Sequence, residues 1–375
     1  MEVLRRAKEL VAQGRDIVRL EVGEPNFSTP QAIIDAAHLA LDKDQTNYTL
    51  AQGSLPLRQR ISQWYGEQYG VDVSEERIII TSGTSGAFML AFGIILNPGD
   101  RFAITDPGYP CYKNMIRLLS GEPVQIPVGP QSHYQLDAAM LIPEIKKGLR
   151  GGLITSPSNP TGTIIPDRAF SQVVEVIEDS GGVLVSDEIY HAITYGEDAK
   201  TALQFSDQAI VINGFSKYFA MTGWRLGWMI VPQNAIRAVE MLQQNLFISA
   251  STIAQEAAMA AFDCRDIFAE HIKQYDKNRI YLIVALKKMG FEISVEPKGA
   301  FYIYANISSL LAQCGIENSQ LFCERLLEEA GVAVTPGLDF GVNGAGEHLR
   351  FSYATDFARI KEGIVRIAKF LGKTI

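Results

Sequence analysis

Ala209-Ile-Val-Ile-Asn runs straight into Gly214-Phe-Ser-Lys217, a short β-branched apolar run that stops at a turn carrying one ionisable side chain. The same pattern recurs outward in both directions. Arg77-Ile-Ile-Ile-Thr meets Ser82-Gly-Thr-Ser-Gly86, and Arg101-Phe-Ala-Ile-Thr meets Asp106-Pro-Gly-Tyr-Pro110. Gly152-Leu-Ile-Thr meets Ser156-Pro-Ser-Asn-Pro-Thr-Gly162, and Gly182-Val-Leu-Val-Ser meets Asp187-Glu-Ile-Tyr190. Arg225-Leu-Gly-Trp-Met-Ile-Val231 reads as one more strand. Helical stretches usually follow these turns. Apolar strands that alternate with helices are buried on both faces, which predicts an α/β fold: a large domain with a mostly parallel sheet flanked by helices.

The pattern changes after about residue 235. A long helical stretch is expected over 234–262 and another over 268–289, closed by Gly290. Strand signals at 291–295, 300–305, 332–335 and 348–354 then mix with helices at 319–330 and 357–371, as in a smaller α+β domain. Residues 1–40 lack comparable strands and are expected to pack on it. The division is therefore 41–279 for the large domain and 1–40 with 280–375 for the small one.

Composition narrows the function. Among 375 residues, 34 Lys+Arg face 42 Asp+Glu, a net charge of −8, and no run of five like charges occurs, which argues against nucleic acid as a partner. Cys111, Cys264, Cys314 and Cys323 form neither a C-x-x-C pair nor a ligand cluster, so the reducing cytoplasm is the expected compartment. The first residues are charged and amphipathic, unlike a signal peptide, and the longest apolar run, 87–96, is about half the ~18–20 residues that span a bilayer. Neither secretion nor membrane insertion is expected. His38, His133, His191, His271 and His348 are never at metal-ligand spacing, so no metal is expected. A G-x-S-x-G elbow and the glycine loops that cradle nucleotides are absent too.

Thr84, Tyr109, Asn159, Asp187 and Lys217 fall just past the carboxyl ends of five predicted strands, the edge where open α/β sheets bind ligands. Singly, each is also what a turn or a helix cap would use. Lys217 stands among Phe215, Tyr218 and Phe219, with Arg225 eight residues on. Desolvation beside another cation lowers an amine's proton affinity and makes it a nucleophile able to form a Schiff base. Asp187 closes an apolar strand, where a carboxylate is costly unless it meets a cation, and a pyridinium nitrogen would be one.

Ser158-Asn-Pro-Thr-Gly162, Ser186-Asp-Glu-Ile-Tyr190 and the run from Asn213-Gly-Phe-Ser-Lys217 to Gly223-Trp-Arg-Leu-Gly227 resemble the signature of the fold type I pyridoxal-phosphate enzymes, specifically the class I/II aminotransferases related to aspartate aminotransferase. Leu20-Glu-Val-Gly-Glu-Pro-Asn-Phe27, the stretch 48–58, Pro297-Lys-Gly-Ala-Phe-Tyr302 and Leu349-Arg-Phe-Ser-Tyr-Ala354 extend the likeness over nearly the whole chain. The resemblance implies that Lys217 carries pyridoxal 5'-phosphate and moves the substrate proton. It implies that Asp187 keeps the ring nitrogen protonated, that Asn159 and Tyr190 bond the ring 3-oxygen, and that Tyr109 stacks on the ring. Gly83, Thr84 and Ser85 would open a helix onto the phosphate with Arg225. Arg350 would clamp the substrate carboxylate, helped by Asn159 and the Gly23 backbone, and Tyr48 would reach the other subunit's phosphate in a homodimer. Where relatives often have a serine three residues before the lysine, this chain has Gly214.

The expected reaction moves an amino group from an L-amino acid to a 2-oxo acid by ping-pong chemistry. A carbon–sulfur β-lyase or a decarboxylase would share the fold. A pyridoxal-phosphate-binding regulator would need a DNA-binding module, and only residues 1–19 precede the first matching motif. Near the entrance motifs stand Phe27, Tyr48 and Tyr109 rather than a second arginine, so a neutral, apolar or aromatic donor is expected.

Overall fold

A computed structural model describes residues 2–374. In chain order, α1 (Glu2–Ala12) and β1 (Val18–Arg19) lead to α2 (Gln31–Asp42) and α3 (Leu55–Tyr69). Next come β2 (Ile78–Thr81), α4 (Gly83–Ile95), β3 (Arg101–Asp106), α5 (Cys111–Leu118), β4 (Glu122–Pro127), α6 (Ala138–Ile145), β5 (Leu149–Thr155), α7 (Asp167–Asp179), β6 (Val183–Asp187), β7 (Ile210–Gly214) and β8 (Gly227–Ile230). These strands form a seven-stranded sheet in the order β2-β8-β7-β6-β5-β3-β4. Only β8 runs antiparallel to its neighbours.

That single reversal matters for the site. Strands β2, β3, β5, β6 and β7 all end on one edge, and β8 begins there, so Arg225, just before β8, joins residues that follow the other strands. The sheet is covered on both faces, as its apolar strands predict. Ile78, Ile80, Ile154, Leu184, Val211 and Trp228 pack to one side with α3, α7 and α9 (Thr252–Met259). Their alternates Ile79, Leu153, Val185, Ile210, Ile212 and Met229 pack to the other with α4 and α8 (Ile236–Leu246). Period-two burial on two faces leaves the central strands without a solvent-facing side.

The rest of the chain builds a second apolar cluster. α10 (Arg265–Lys288) bridges the two, burying Phe268 in the first and Leu282 and Leu286 in the second. β9 (Tyr302–Asn306), α11 (Ser308–Cys314), α12 (Ser319–Ala330), β10 (Val332–Ala333), β11 (Thr335–Pro336), β12 (His348–Ser352) and α13 (Phe357–Phe370) follow. β11, β12 and β9 make an antiparallel sheet, while β1 pairs parallel with β10, so the segment before residue 40 does contribute a strand. α1 buries Val3, Ala7 and Leu10 in this cluster, whereas Ile33 and Ala37 of α2 are buried in the large-sheet cluster.

Two expectations change, and one strand went unread. The stretch 234–262 is not one helix: α8 ends at Leu246 and α9 starts at Thr252, with Ile248 between them at φ 63°, a strained conformation for a β-branched residue. The strand expected at 291–295 is reduced to one bridge, Glu292 to Asn306. β4 went unread because Pro123 and Pro127 interrupt its sequence, and prolines are tolerated there since it is an edge strand. No helix among the described residues is long and apolar enough to cross a membrane.

Candidate active site

The strand edge opens into a cavity of about 820 Å³ lined by Thr84, Ser85, Tyr109, Asn159, Asp187, Tyr190, Lys217, Arg225 and Arg350, together with Gly23. All five strand-end residues singled out from sequence face this one space.

Lys217 follows β7 and its Nζ donates to the Gly23 carbonyl at 2.6 Å. Burial lowers its pKa from 10.5 to about 8; Glu24 opposes the shift, Arg350 and Arg225 add to it, and Asp187 opposes it. An amine that readily loses its proton near neutrality is a competent nucleophile. Asp187, at the end of β6, is 4 % exposed. Its Oδ2 accepts from the Tyr112 hydroxyl and its Oδ1 from the Ile189 amide at 3.1 Å. Burial still pushes its pKa up to about 6, opposed by those two hydrogen bonds and by Lys217. A cation at the free side of this carboxyl would restore its full charge.

The loop between β2 and α4 is shaped for an anion. Gly83 begins α4 at φ 69°, and Ser82 gives the helix no side-chain cap, so its first amides are open to a ligand. A Cβ on Gly83 would stand 2.7 Å from Arg225 Nη2, so only glycine lets the guanidinium lie against this helix start. Arg225 itself has φ 53° and donates to the Thr222 carbonyl at 2.9 Å. Gly227 and Gly214 face each other across β7 and β8, and a Cβ on Gly227 would meet the Gly83 carbonyl carbon at 2.8 Å. A Cβ on Gly214 would stand 3.2 Å from Thr84 Cγ2. A side chain at Gly214 would therefore crowd both Gly227 and Thr84.

Arg350, on β12, enters the cavity from the second cluster. It donates from Nη1 to Asn159 Oδ1 at 2.9 Å and from Nη2 to the Glu21 carbonyl at 2.7 Å and Thr335 Oγ1 at 3.3 Å. Its guanidinium lies over the Tyr302 ring at 4.3 Å and near Phe340 at 4.8 Å, while its buried Nε has no protein partner. A carboxylate is the ligand such a fork is built to take.

Three comparisons bear on this arrangement. The profile of the family described as aminotransferase class I and II matches residues 15–367. The chain belongs to the class I and II aminotransferases. Among relatives, it is 39% identical over 99% of its length, and 95% of theirs, to a valine–pyruvate aminotransferase of Mycobacterium tuberculosis. It is 33% identical over its full length, and 96% of theirs, to an aspartate aminotransferase of Bacillus subtilis. Among solved structures, the aspartate aminotransferase of Thermus thermophilus with maleate superposes at a TM-score of 0.92, with 32% identity and 98% of this chain and 95% of that one covered. The α/β fold expected from the strand pattern is thus the aspartate aminotransferase fold. Membership of this class implies pyridoxal phosphate dependence and amino acid and 2-oxo acid substrates.

Not every sequence candidate reaches the aminotransferase's cavity. Tyr48 lies outside it and is 79% exposed. Phe27 is also outside, stacked on His271 with ring centroids 3.7 Å apart. Gly83 shapes the helix start from behind the cavity wall. Sequence reasoning missed Tyr112, whose hydroxyl bonds Asp187 and accepts from Thr155 Oγ1 at 3.0 Å; its position three residues after Tyr109 on a helix start was the available signal. It also assigned no role to Tyr302, whose hydroxyl pairs with that of Tyr190 at 2.8 Å. Arg19 and Lys8 on the cavity wall went unnoticed because α1 and β1 carry no motif of their own.

Proposed function

We propose that this aminotransferase holds pyridoxal 5'-phosphate at the strand edge and moves an amino group from a neutral L-amino acid to a 2-oxo acid in two alternating half-reactions. The observation that carries this reading is the convergence, in one cavity, of a half-buried amine of lowered pKa, a buried carboxyl of raised pKa, an uncapped helix start beside Arg225, and a guanidinium whose Nε has no protein partner. Each feature fits one part of the cofactor or substrate.

Lys217 would hold the cofactor covalently, Asp187 would bond the ring nitrogen, and the amides of Gly83, Thr84 and Ser85 with Arg225 would bond the phosphate. Asn159 has its Oδ1 taken by Arg350, so its Nδ2 is the group left to donate, beside the Tyr190 hydroxyl, to the ring 3-oxygen. Tyr109, at the cavity wall, would cover a ring face. When bound, the cofactor supplies an electron sink that lowers the barrier to breaking the substrate Cα–H bond. Arg350 orients the substrate by its carboxylate, with Gly23 and Asn159 beside it. Lys217 Nζ, neutral in a large fraction of molecules near pH 8, takes and returns the Cα proton.

Homodimer formation is supported by exposed Tyr48 and Leu50, tied to the α8–α9 segment by Thr252 Oγ1 on the Asn47 carbonyl at 2.6 Å. That segment also exposes Leu246 and Ile248, and its Phe247 comes within 3.8 Å of the Cβ position of Gly86, close to the α4 start. A second copy covering this apolar strip would bring Tyr48 to its partner's phosphate site. Four free thiols support a cytoplasmic location. The division into a large cofactor-binding part, 41–279, and a small part, 1–40 with 280–375, belongs to the same reading, save that α2 (Gln31–Asp42) packs on the large sheet and goes with the large part.

For the donor, the relative named for valine and pyruvate supports a neutral side chain. No comparison favours the β-lyase or decarboxylase alternatives. The test is a half-reaction panel that follows the cofactor's absorbance as single amino acids are added, with the oxo acid products identified. Fast turnover of valine, leucine or alanine with slow aspartate is expected. Fast aspartate with slow neutral donors contradicts the donor assignment, and pyruvate with ammonia from cystathionine contradicts transamination.

A further inference from the structure

The cavity wall opposite the sheet carries an ion pair with no part in the chemistry above. Arg19 Nε donates to Glu21 Oε1 at 2.6 Å, and both residues line the cavity. Glu21 is 5% exposed, and its Oε2 is buried with no hydrogen-bond partner. Its backbone carbonyl is the one that holds Arg350 Nη2. One residue therefore anchors the carboxylate-binding arginine through its main chain and engages a second cavity arginine through its side chain. Lys8 lines the same cavity but is exposed, where water and salt screen its charge.

We propose that Glu21 is a specificity-determining positioning residue: it neutralises Arg19 and so excludes dicarboxylic substrates from a site whose second cation would otherwise accept them. The inference rests on Arg350 anchoring the substrate carboxylate. A dicarboxylate bound there brings a second carboxylate into a cavity where the other half-buried arginine is already occupied and the unpartnered Glu21 Oε2 repels it. A monocarboxylate with an apolar side chain meets no such conflict. Glu21→Gln keeps the size, the hydrogen bond to Arg19 and the backbone contact to Arg350, and removes only the charge that neutralises Arg19.

The test is calorimetric titration of the enzyme loaded with pyridoxal phosphate, using succinate and 4-methylpentanoate as unreactive probes, so that no turnover is needed. Glu21→Gln is expected to tighten succinate relative to 4-methylpentanoate by about tenfold, the gain of one half-buried ion pair worth about 1.4 kcal/mol. Adding Arg19→Met to that variant should return the ratio to within about twofold of the parent, which a general loosening of the fold would not do. A ratio unchanged in Glu21→Gln, or a gain that survives loss of Arg19, overturns the proposal while 4-methylpentanoate binding that disappears in Arg350→Ala upholds the anchor. Failure of the parent to bind either acid overturns both.

Discussion

Replacing Lys217 by methionine should stabilise the cofactor-free protein at neutral pH and abolish a pH dependence that the parent carries. The native fold lowers the pKa of this amine from 10.5 to about 8, chiefly by burial. At ~1.36 kcal/mol per pH unit, that displacement costs the native state about 3 kcal/mol whenever the amine is protonated. Below pH 8 both native and unfolded chains hold the proton, so the full cost applies. Between pH 8 and 10.5 the unfolded chain binds a proton that the native chain does not, so stability rises with pH across that window. Methionine fills the same space without a charge. Urea denaturation of both cofactor-free proteins, at one protein concentration, should show the variant more stable at pH 7, with the gap narrowing by about 2 kcal/mol at about pH 9.5. A gap that stays constant or widens over that range would refute the argument that desolvation primes the amine.

Other consequences are equally direct. Asp187→Asn should leave cofactor affinity within a few-fold yet slow the half-reaction about 10–100-fold, the ~1.5–3 kcal/mol of a hydrogen bond to a charged group, as read by stopped-flow absorbance. Arg350→Lys should raise KM for amino donor and oxo acid alike by about tenfold, because a point charge cannot reproduce the two-pronged contact; an effect on one substrate alone would count against a shared carboxylate site. Gly83→Ala should weaken cofactor binding in equilibrium dialysis by about tenfold, since alanine at positive φ costs ~1–2 kcal/mol and its Cβ would collide with Arg225.

The large sheet was legible because burial on both faces writes itself as unbroken Ile-Ile-Ile and Val-Leu-Val runs, and because each run ends in a turn. The site was legible for the same reason: Thr84, Asn159, Asp187 and Lys217 are held by backbone geometry that a strand end imposes. Edge and interrupted elements were not legible. β4 is broken by prolines that only an edge strand tolerates, and the α8–α9 break turns on Ile248 adopting a backbone conformation its side chain disfavours. Contacts between distant segments were the least visible. Nothing local joins Tyr112 to Asp187, 75 residues away, and nothing in Arg19-Leu-Glu21 signals that Arg19 and Glu21 line the cavity that also holds Lys217. Tyr48 shows the converse: its stretch is readable as a motif, yet the side chain is 79% exposed and lies outside the cavity.

The central claim, that Lys217 carries the cofactor at this strand edge, is tested most directly by borohydride reduction of the enzyme loaded with pyridoxal phosphate, followed by peptide mapping. The account predicts one pyridoxyl group per chain, on the peptide containing Lys217, and none in Lys217→Met. A label on any other lysine, or spread over several, would contradict it.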